Sequence, residues 1–570
     1  MTERPTPQTR EEQAKLEIGH TEISPGVQWA VVAIGLFTLF AVPAIQAYHE
    51  MRQHAEGRRE SRRPQCLDVL DALPTAVAAC REHRGGWLAK TFHANAAILQ
   101  AIDRFEKDLK AESFLTRLVL PRAQELLVYV GSGNEKAYVG RQRWLFYRPG
   151  IDYCIGPGFL GPRHMARQAD RGSEWRPAPQ PDPRPAILQF QRQLADRGIR
   201  LVLMPVPDKA TIHPERFSSF YEGRSTTVHN PSFRQFVEEL EAEGVLVCDV
   251  TDVLARYRDH SGNAAYLAAD THWRPEAMEL AAAELARFIE GKISLSAAAK
   301  VYPLRRTTTE VANLGDIAMM LGLRQGQRLF DEEAVTIHPV SDEAGAWWQA
   351  DPAAEILLLG DSFANIYSLE MMNWGASAGL AEQLSFALGR PVDAILRNDD
   401  GAYATREMLS RALAQGEDRL AGKKVVVWQF AARELAVGDW KLLDMTLQQS
   451  QQPAREPPAA DREVIVSGTI AAKSAAPRAG QIPYAHHIFT IDLTDLQVRS
   501  GTLQDETIAV YLFSMRDHKN TPAFFWPVGT QVTLKLRPWR PDFYARYGRI
   551  NRSETENTEL SDPWWGETIE

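Results

Sequence analysis

Three kinds of hydrophobic patterning divide this chain. Near its start, Val27 to Tyr48 (VQWAVVAIGLFTLFAVPAIQAY) carries no charged residue. As a helix rising about 1.5 Å per residue, the run would span roughly 33 Å, enough for the hydrocarbon core of a bilayer. A polar leader, residues 1–26, precedes it, and so long a run favours a retained transmembrane anchor over a cleaved signal peptide. Residues 49–135 follow as a predicted helical stalk: helix formers dominate to about Leu120, and Leu67, Leu70, Leu73 and Val77 recur at helical spacing.

The second pattern runs from Pro185 to about Trp440. Short aliphatic runs (Ile199–Pro205, Val245–Val250, Ile356–Leu359, Val392–Leu396, Lys423–Phe430) alternate with amphipathic stretches such as Ala186–Arg197, Ser232–Glu243, Glu276–Glu290 and Arg406–Ala414. Aliphatic runs of this length read as strands buried on both faces. Five of them with intervening helices predict a doubly wound parallel α/β sheet, within a domain at residues 136–448. Val139–Tyr147 reads as a strand or hairpin entering that domain, and the Pro- and Gly-rich Gly150–Pro185 as loop.

The third pattern follows a linker at residues 449–461 (QSQQPAREPPAAD). Glu463–Ile470, His487–Leu493, Thr507–Phe513 and Gln531–Leu536 read as strands. Residues 462–570 are therefore expected to form a small antiparallel β domain, a barrel or sandwich. Its Trp526, Trp539, Tyr547, Trp564 and Trp565 suit either a half-buried core or a carbohydrate-binding surface that stacks on sugar rings.

Composition adds limits. With 570 residues, 44% apolar and 24% charged, this is ordinary globular material spread over several units. A net charge of −9 argues against nucleic acid as a partner. Arg52, Arg58, Arg59, Arg62 and Arg63 follow the apolar run, against Arg4, Arg10 and Lys15 before it. Counted alone, those charges would keep the large domain in the cytoplasm, though the rule is weakest for long translocated domains. The four cysteines (Cys66, Cys80, Cys154, Cys248) form no CxxC pair, so zinc and thioredoxin-type chemistry have no support. One or two disulfides stay open, and Cys248 sits in an apolar run as a small core residue.

The candidate chemistry lies where Ile356–Leu359 runs into Gly360-Asp361-Ser362-Phe363. Open α/β sheets bind ligands at the carboxyl ends of their strands, and a glycine there lets the chain turn sharply. Upstream, Asp270-Thr271-His272-Trp273 lies in a polar stretch ahead of a helix beginning near Pro275. A serine nucleophile needs a base to take its proton and a carboxylate to orient that base. Ser362 would attack an acyl carbonyl, His272 take the proton and Asp270 hold the imidazole. Candidate oxyanion donors are the Ser362 backbone N–H and the Asn365 side-chain amide. This chemistry calls for no cofactor and no metal.

Gly360-Asp361-Ser362 resembles the nucleophile block of the SGNH (GDSL-type) hydrolases. In ordinary members the Asp–His pair follows the serine as DxxH; here it precedes it as DTHW. That inverted order resembles the alginate O-acetyltransferase family, the SGNH-like periplasmic proteins of exopolysaccharide acetylation. Trp144-Leu145-Phe146-Tyr147, Val206-Pro207-Asp208-Lys209, Gly315-Asp316-Ile317-Ala318-Met319-Met320-Leu321, Gly379-Leu380-Ala381-Glu382-Gln383-Leu384 and Val427-Trp428-Gln429-Phe430-Ala431-Ala432-Arg433 extend the resemblance over about residues 135–440.

The resemblance implies a single-pass inner-membrane protein with its catalytic domain in the periplasm. It would acetylate a secreted polysaccharide through Ser362, with a membrane-bound O-acyltransferase as acetyl donor. The family's catalytic roles carry over to Ser362, His272 and Asp270. Trp273, Lys209 and Arg433 match family-like stretches as substrate-binding candidates, each with a structural alternative: a packing wall, a surface charge and a buried ion pair. Two features depart from the family pattern. Arg141-Gln142-Arg143 replaces the usual acidic-glycine approach to Trp-Leu-Phe, and the family does not demand a C-terminal β domain. The same triad would serve a carbohydrate esterase or deacetylase, and a non-enzymatic scaffold of a polysaccharide export complex is a third reading.

Overall fold

Pro25, whose fixed φ suits the first helical turn, begins a helix that runs to Ala55. This computed structural model describes residues 24–56, 63–82, 85–171, 178–296, 302–324, 326–398, 401–448, 463–479, 482, 484–503, 505–539, 547–555 and 563–569. It divides into two units, Met1–Ala123 and Gln124–Glu570. In the first, the helix Pro25–Ala55 exposes Trp29, Phe37 and Phe40, and by length and composition it can cross a membrane. Its polar end is tied down. Gln46 Nε2 donates to Glu50 Oε1 (2.6 Å), Glu50 Oε2 accepts the Gln65 N–H (2.7 Å), and Gln46 Oε1 accepts the Phe114 N–H (2.7 Å). Helices Ala72–Glu82 and Trp87–Glu112 pack on one another.

The second unit opens with the antiparallel hairpin Ala137–Val139 and Leu145–Tyr147. The segment Gly150–Pro185, expected as loop, holds two short helices, Arg148–Ile155 and Pro162–Ala169. Prolines that read as breakers stand instead in their first turns, where a missing N–H costs nothing. The five aliphatic runs form one parallel sheet in the order Leu246–Val247, Arg200–Val206, Val425–Ala431, Ile356–Gly360, Asp393–Leu396. Ile356–Gly360 and Val425–Ala431 are buried at every position, as sheet strands covered on both faces must be. Helices Pro183–Ala195, Phe233–Ala242, Pro275–Lys292, Leu380–Leu388 and Ala404–Ala414 accompany them. The strand made last, Val425–Ala431, lies at the centre.

Five C-terminal strands close on themselves: Val464–Lys473, His487–Ser500, Ile508–Arg516, Gln531–Pro538 and Trp564–Thr568. Numbered along the chain, they run 1-2-3-5-4-1 around the ring. The expectation of a purely antiparallel domain fails at two places: the third and fifth strands pair parallel, and the short strand Arg552–Ser553 pairs parallel with His487–Ser500. The last strand fills the edge left between the third and fourth strands, pairing parallel with the third and antiparallel with the fourth. Val464, Val466, Ile491, Val510, Leu534 and Leu536 fill this barrel. Of its aromatic residues, Trp565 is buried and stacks on Tyr547 with ring centroids 4.6 Å apart. Trp526 and Trp564 pack at the edge of the core. The linker at 449–461 lies outside the described residues. No disulfide joins the four cysteines; burial pushes the Cys154 and Cys248 thiols up to about 12.

Candidate active site

The strand Ile356–Gly360 ends in a turn that leaves no room for a side chain at Gly360. A β-carbon there would lie 2.8 Å from Ala364 Cβ and 2.9 Å from Leu396 Cδ2. Asp361 then caps the short turn Ser362–Asn365. Its carboxylate accepts the Phe363 N–H (2.9 Å), Gln429 Nε2 (2.8 Å) and the Ala431 N–H (2.8 Å), while Gln429 Oε1 accepts the Asp361 N–H (3.1 Å). Asp361 therefore fastens the serine turn to the neighbouring strand and takes no part in the proton path.

Ser362 Oγ donates to His272 Nε2 at 2.9 Å, and His272 Nδ1–H donates to Asp270 Oδ1 at 2.7 Å. Each of the three is at least 95% buried. Asp270 Oδ1 also accepts the His272 N–H (3.0 Å), and Oδ2 accepts the Asp316 N–H (2.9 Å) and Trp374 Nε1–H (3.1 Å). The Asp316 donor reaches Asp270 because Gly315 adopts φ +93°; a β-carbon there would meet Ala269 O at 2.5 Å. Asp316 Oδ1 in turn accepts the Thr271 N–H (2.6 Å), closing a ring of hydrogen bonds around the Asp270–His272 segment.

Electrostatics follow the geometry. Burial favours the neutral acid at Asp270, but its bond to His272, the imidazole's charge and the backbone donors hold the carboxyl well below its usual range. At His272 burial opposes the charged form, and the hydrogen bond and charge of Asp270 overcome it, leaving the imidazole above its ordinary value. Asp316 is pushed up to about 6, first by burial and then by the Asp270 charge. Asp270, His272 and Asp316 are the one group of three among the described residues whose ligand atoms lie close enough, within 4.8 Å, to hold a metal ion. Both imidazole nitrogens already serve Asp270 and Ser362, so an ion there would have to break the series.

The other expected site residues scatter. Arg433 borders the serine cleft; its Nη1 donates to Asp208 Oδ1 (3.1 Å), and its guanidinium lies 5.6 Å from the Phe363 ring centroid. Burial works against that charge, but Asp208 and Glu434 more than offset it. Trp273 lies beneath the serine turn, fully buried, with Nε1–H donating to Phe363 O (3.1 Å). Lys209 is neither a surface charge nor part of the cleft. Its Nζ donates to Leu145 O (2.8 Å) and Ala268 O (3.2 Å), and burial lowers it to about 8. The Asn365 amide, expected as an oxyanion donor, turns inward and donates to Asn398 Oδ1 (2.8 Å). Asn398, not Asn365, borders the cleft.

That cleft holds about 420 Å³, lined by Ser362, His272, Arg433, Tyr147 and, from the C-terminal barrel, Ile482 and Tyr484. Glu434, also on its wall, is raised by burial to about 7. The roles of Asp316, Trp374 and Tyr484 were absent from the sequence reading. Gly315-Asp316 stood in one of the resembling stretches without a function, and nothing local marked Trp374.

A strand-borne serine joined through histidine to aspartate, at the carboxyl edge of a doubly wound sheet, defines an SGNH-like domain. Residues 137–432, half of the chain, match the family described as "SGNH hydrolase-like domain, acetyltransferase AlgX", and the chain belongs to that family. The probable alginate O-acetylase AlgJ of Pseudomonas fluorescens is 26% identical over 264 residues, covering 45% of this chain and 62% of that protein. Its counterpart in Pseudomonas aeruginosa is 26% identical over 283 residues, covering 46% and 67%. The match thus spans less than two thirds of the first relative's length. Among solved structures, the O-acetyltransferase domain of Pseudomonas putida AlgJ is 19% identical with a TM-score of 0.39, covering 53% of this chain and 93% of that one. Pseudomonas aeruginosa AlgX is 14% identical with a TM-score of 0.35, covering 70% and 90%.

Proposed function

We propose that this protein is a serine-dependent O-acetyltransferase that passes acetyl groups through Ser362 to hydroxyls of a secreted polysaccharide. The observation that carries the reading is the unbroken Ser362–His272–Asp270 series opening into a cleft, in a chain whose family is described as acetyltransferase. Ser362 Oγ attacks the donor's acetyl carbonyl while His272 Nε2 takes its proton, and Asp270 offsets the imidazolium charge. The Ser362 N–H, at the first position of its turn, is one oxyanion donor. The candidate for the second is the side-chain amide of Asn398, which borders the cleft and whose Oδ1 accepts from Asn365. His272 returns the proton to the leaving group. The acceptor hydroxyl then attacks the acetyl-serine, its proton goes to His272, and Ser362 Oγ leaves and takes that proton back.

The relatives' name, probable alginate O-acetylase, supports a uronate polymer as acceptor. The apolar helix Pro25–Ala55 supports a membrane anchor; the reading places the catalytic unit in the periplasm, where a membrane-bound O-acyltransferase would hand over the acetyl group. The test supplies an activated acetyl ester and looks for the acetyl mass increment on Ser362. Ser362→Ala should lack the adduct, and His272→Ala should accumulate it at least a hundredfold more slowly. Alginate oligosaccharides are then added as acceptor. Acetate as the sole product, at any acceptor concentration, would make this an esterase.

A further inference from the structure

The order 1-2-3-5-4-1, with a parallel seam between the third and fifth strands, is that of an OB-fold barrel. Such barrels take oligosaccharides or oligonucleotides on the face of strands 2 and 3 and on the loops joining strands 1–2 and 4–5. In this chain both of those loops meet the catalytic domain. The 1–2 loop, residues 474–486, brings Ile482 and Tyr484 to the cleft that holds Ser362 and His272. Tyr484 and Ala485 also border a recess behind the triad, beside Asp270, Asp316 and Trp374.

The 4–5 connection holds the barrel in place. Arg549 Nη1 donates to Ser368 Oγ (2.6 Å), in the segment following the nucleophile. Arg397 Nη2, just past the strand Asp393–Leu396, donates to Arg552 O (2.8 Å). Glu554 accepts from Arg552 Nε (2.7 Å) and Tyr511 OH (3.0 Å) and pairs with Arg411 of the helix Ala404–Ala414. Burial opposes the Glu554 charge, yet Arg552, Arg411 and Arg397 together hold its carboxyl well below the ordinary range. The barrel is docked through the Arg411–Glu554 ion pair and the Arg549 and Arg397 hydrogen bonds, with Ile482 and Tyr484 on the wall of the serine cleft.

We infer that this loop completes the acyl-transfer site, with Tyr484 as the acceptor-positioning residue that directs the acetyl group to a sugar rather than to water. The inference rests on the acetyltransfer reading above. Acetyl-Ser362 has two fates, and they differ only in which hydroxyl reaches the carbonyl. When acceptor attacks, the ester bond to Ser362 Oγ breaks, a new ester bond forms to the sugar oxygen, and the sugar's proton passes by way of His272 to Ser362. A half-buried tyrosine ring offers an apolar face for a pyranose and covers area that water would otherwise fill. It also orients the bound sugar, the part of the barrier that a second substrate must otherwise overcome by chance encounter. The occupant is a saccharide chain, because the cleft leads to a serine that would transfer acetyl to a hydroxyl.

The test uses the full chain in detergent, 4-nitrophenyl acetate as donor and alginate oligosaccharides as acceptor. It reads the ratio of acetylated oligosaccharide to free acetate. Tyr484→Ala should lower that ratio at least tenfold, whereas Tyr484→Phe, which keeps the ring, should stay within threefold of the parent. A merely structural residue would lower both products together and leave the ratio alone. A ratio for Tyr484→Ala within threefold of the parent overturns the inference. Should Tyr484→Ala not fold, Ile482→Ala from the same loop is read against the same threshold. If the parent itself yields only acetate, the acetyltransfer reading fails and this inference with it; a failed ratio in the variants alone leaves that reading standing.

Discussion

Asp316 Oδ2 lies 4.0 Å from His272 Nδ1, so the imidazole faces two buried carboxylates while hydrogen-bonding only Asp270. The second carboxylate sets a pH dependence. Asp316 is lifted to about 6 in the fold, above its unfolded value, so the folded state binds the extra proton below that pH. Its contribution to stability therefore falls as pH rises from about 4 to 6. Asp316→Asn keeps an acceptor for the Thr271 N–H but removes the charge. The variant should gain on the parent by about 2 kcal/mol between pH 4 and pH 7, read from denaturant unfolding at each pH. It should also lower the midpoint of the acylation pH profile, because one of the charges that raise His272 is gone. A midpoint that moves upward contradicts this.

His272 must be neutral to accept the serine proton, and Asp270 holds its value above the ordinary one. Acylation by an activated ester should therefore rise with pH through a midpoint above about 6.5, the unperturbed histidine value. Asp270→Asn should move the midpoint down and slow the plateau by orders of magnitude, since orientation and charge are both lost. An unchanged midpoint in Asp270→Asn would remove Asp270 from the proton path.

Trp374→Phe keeps the buried ring but deletes the N–H that bonds Asp270 Oδ2 at 3.1 Å. A hydrogen bond to a charged, buried group contributes roughly 1.5–3 kcal/mol. The expected results are a loss of stability of that order and at least a tenfold slower acetyl-serine burst, with the protein still folded by near-ultraviolet circular dichroism. Parent-like burst kinetics would show that the Asp270 carboxylate is held without it.

Asp361→Ala strips the partner from the Phe363 and Ala431 N–H groups and from Gln429. Burying unpaired donors costs about 1–3 kcal/mol each where water does not reach them. Unfolding should show a loss of a few kcal/mol, and the burst should vanish although Ser362, His272 and Asp270 are intact. Asp361→Asn should fall between, because its amide oxygen still accepts while its NH₂ meets the Ala431 donor.

For the anchor, alkaline phosphatase fused after Arg63 should be active and a green fluorescent protein fusion dark. The opposite pattern would place the catalytic unit in the cytoplasm and contradict the proposed location.

Much of this was legible in periodicity and short motifs. All five sheet strands announce themselves as aliphatic runs, because parallel strands covered on both faces have few polar positions. Asp270-Thr271-His272 and Gly360-Asp361-Ser362 are local signals for groups that meet across the fold. What periodicity could not reveal is contact between distant side chains. Trp374 reaches Asp270 from a segment with no regular pattern, and Asn398 takes the cleft position assigned to Asn365 because the turn after Ser362 points Asn365 into the core. Trp564–Thr568, which has no alternating or aliphatic pattern to mark it, closes the barrel only through partners made much earlier in the chain. Lys209 reads from the sequence as a substrate-binding candidate or a surface charge because nothing nearby in sequence predicts the two carbonyls it holds.

The position of Val425–Ala431 between Arg200–Val206 and Ile356–Gly360 bears on how the molecule is born. A ribosome delivers the two flanking strands long before the one that joins them, so each waits with an unsatisfied edge that only a late segment can fill. Asp361 waits too, since Gln429 and Ala431 lie on that same late strand. The turn that carries Ser362 is therefore fastened to its neighbouring strand only when the sheet closes, near the end of the domain.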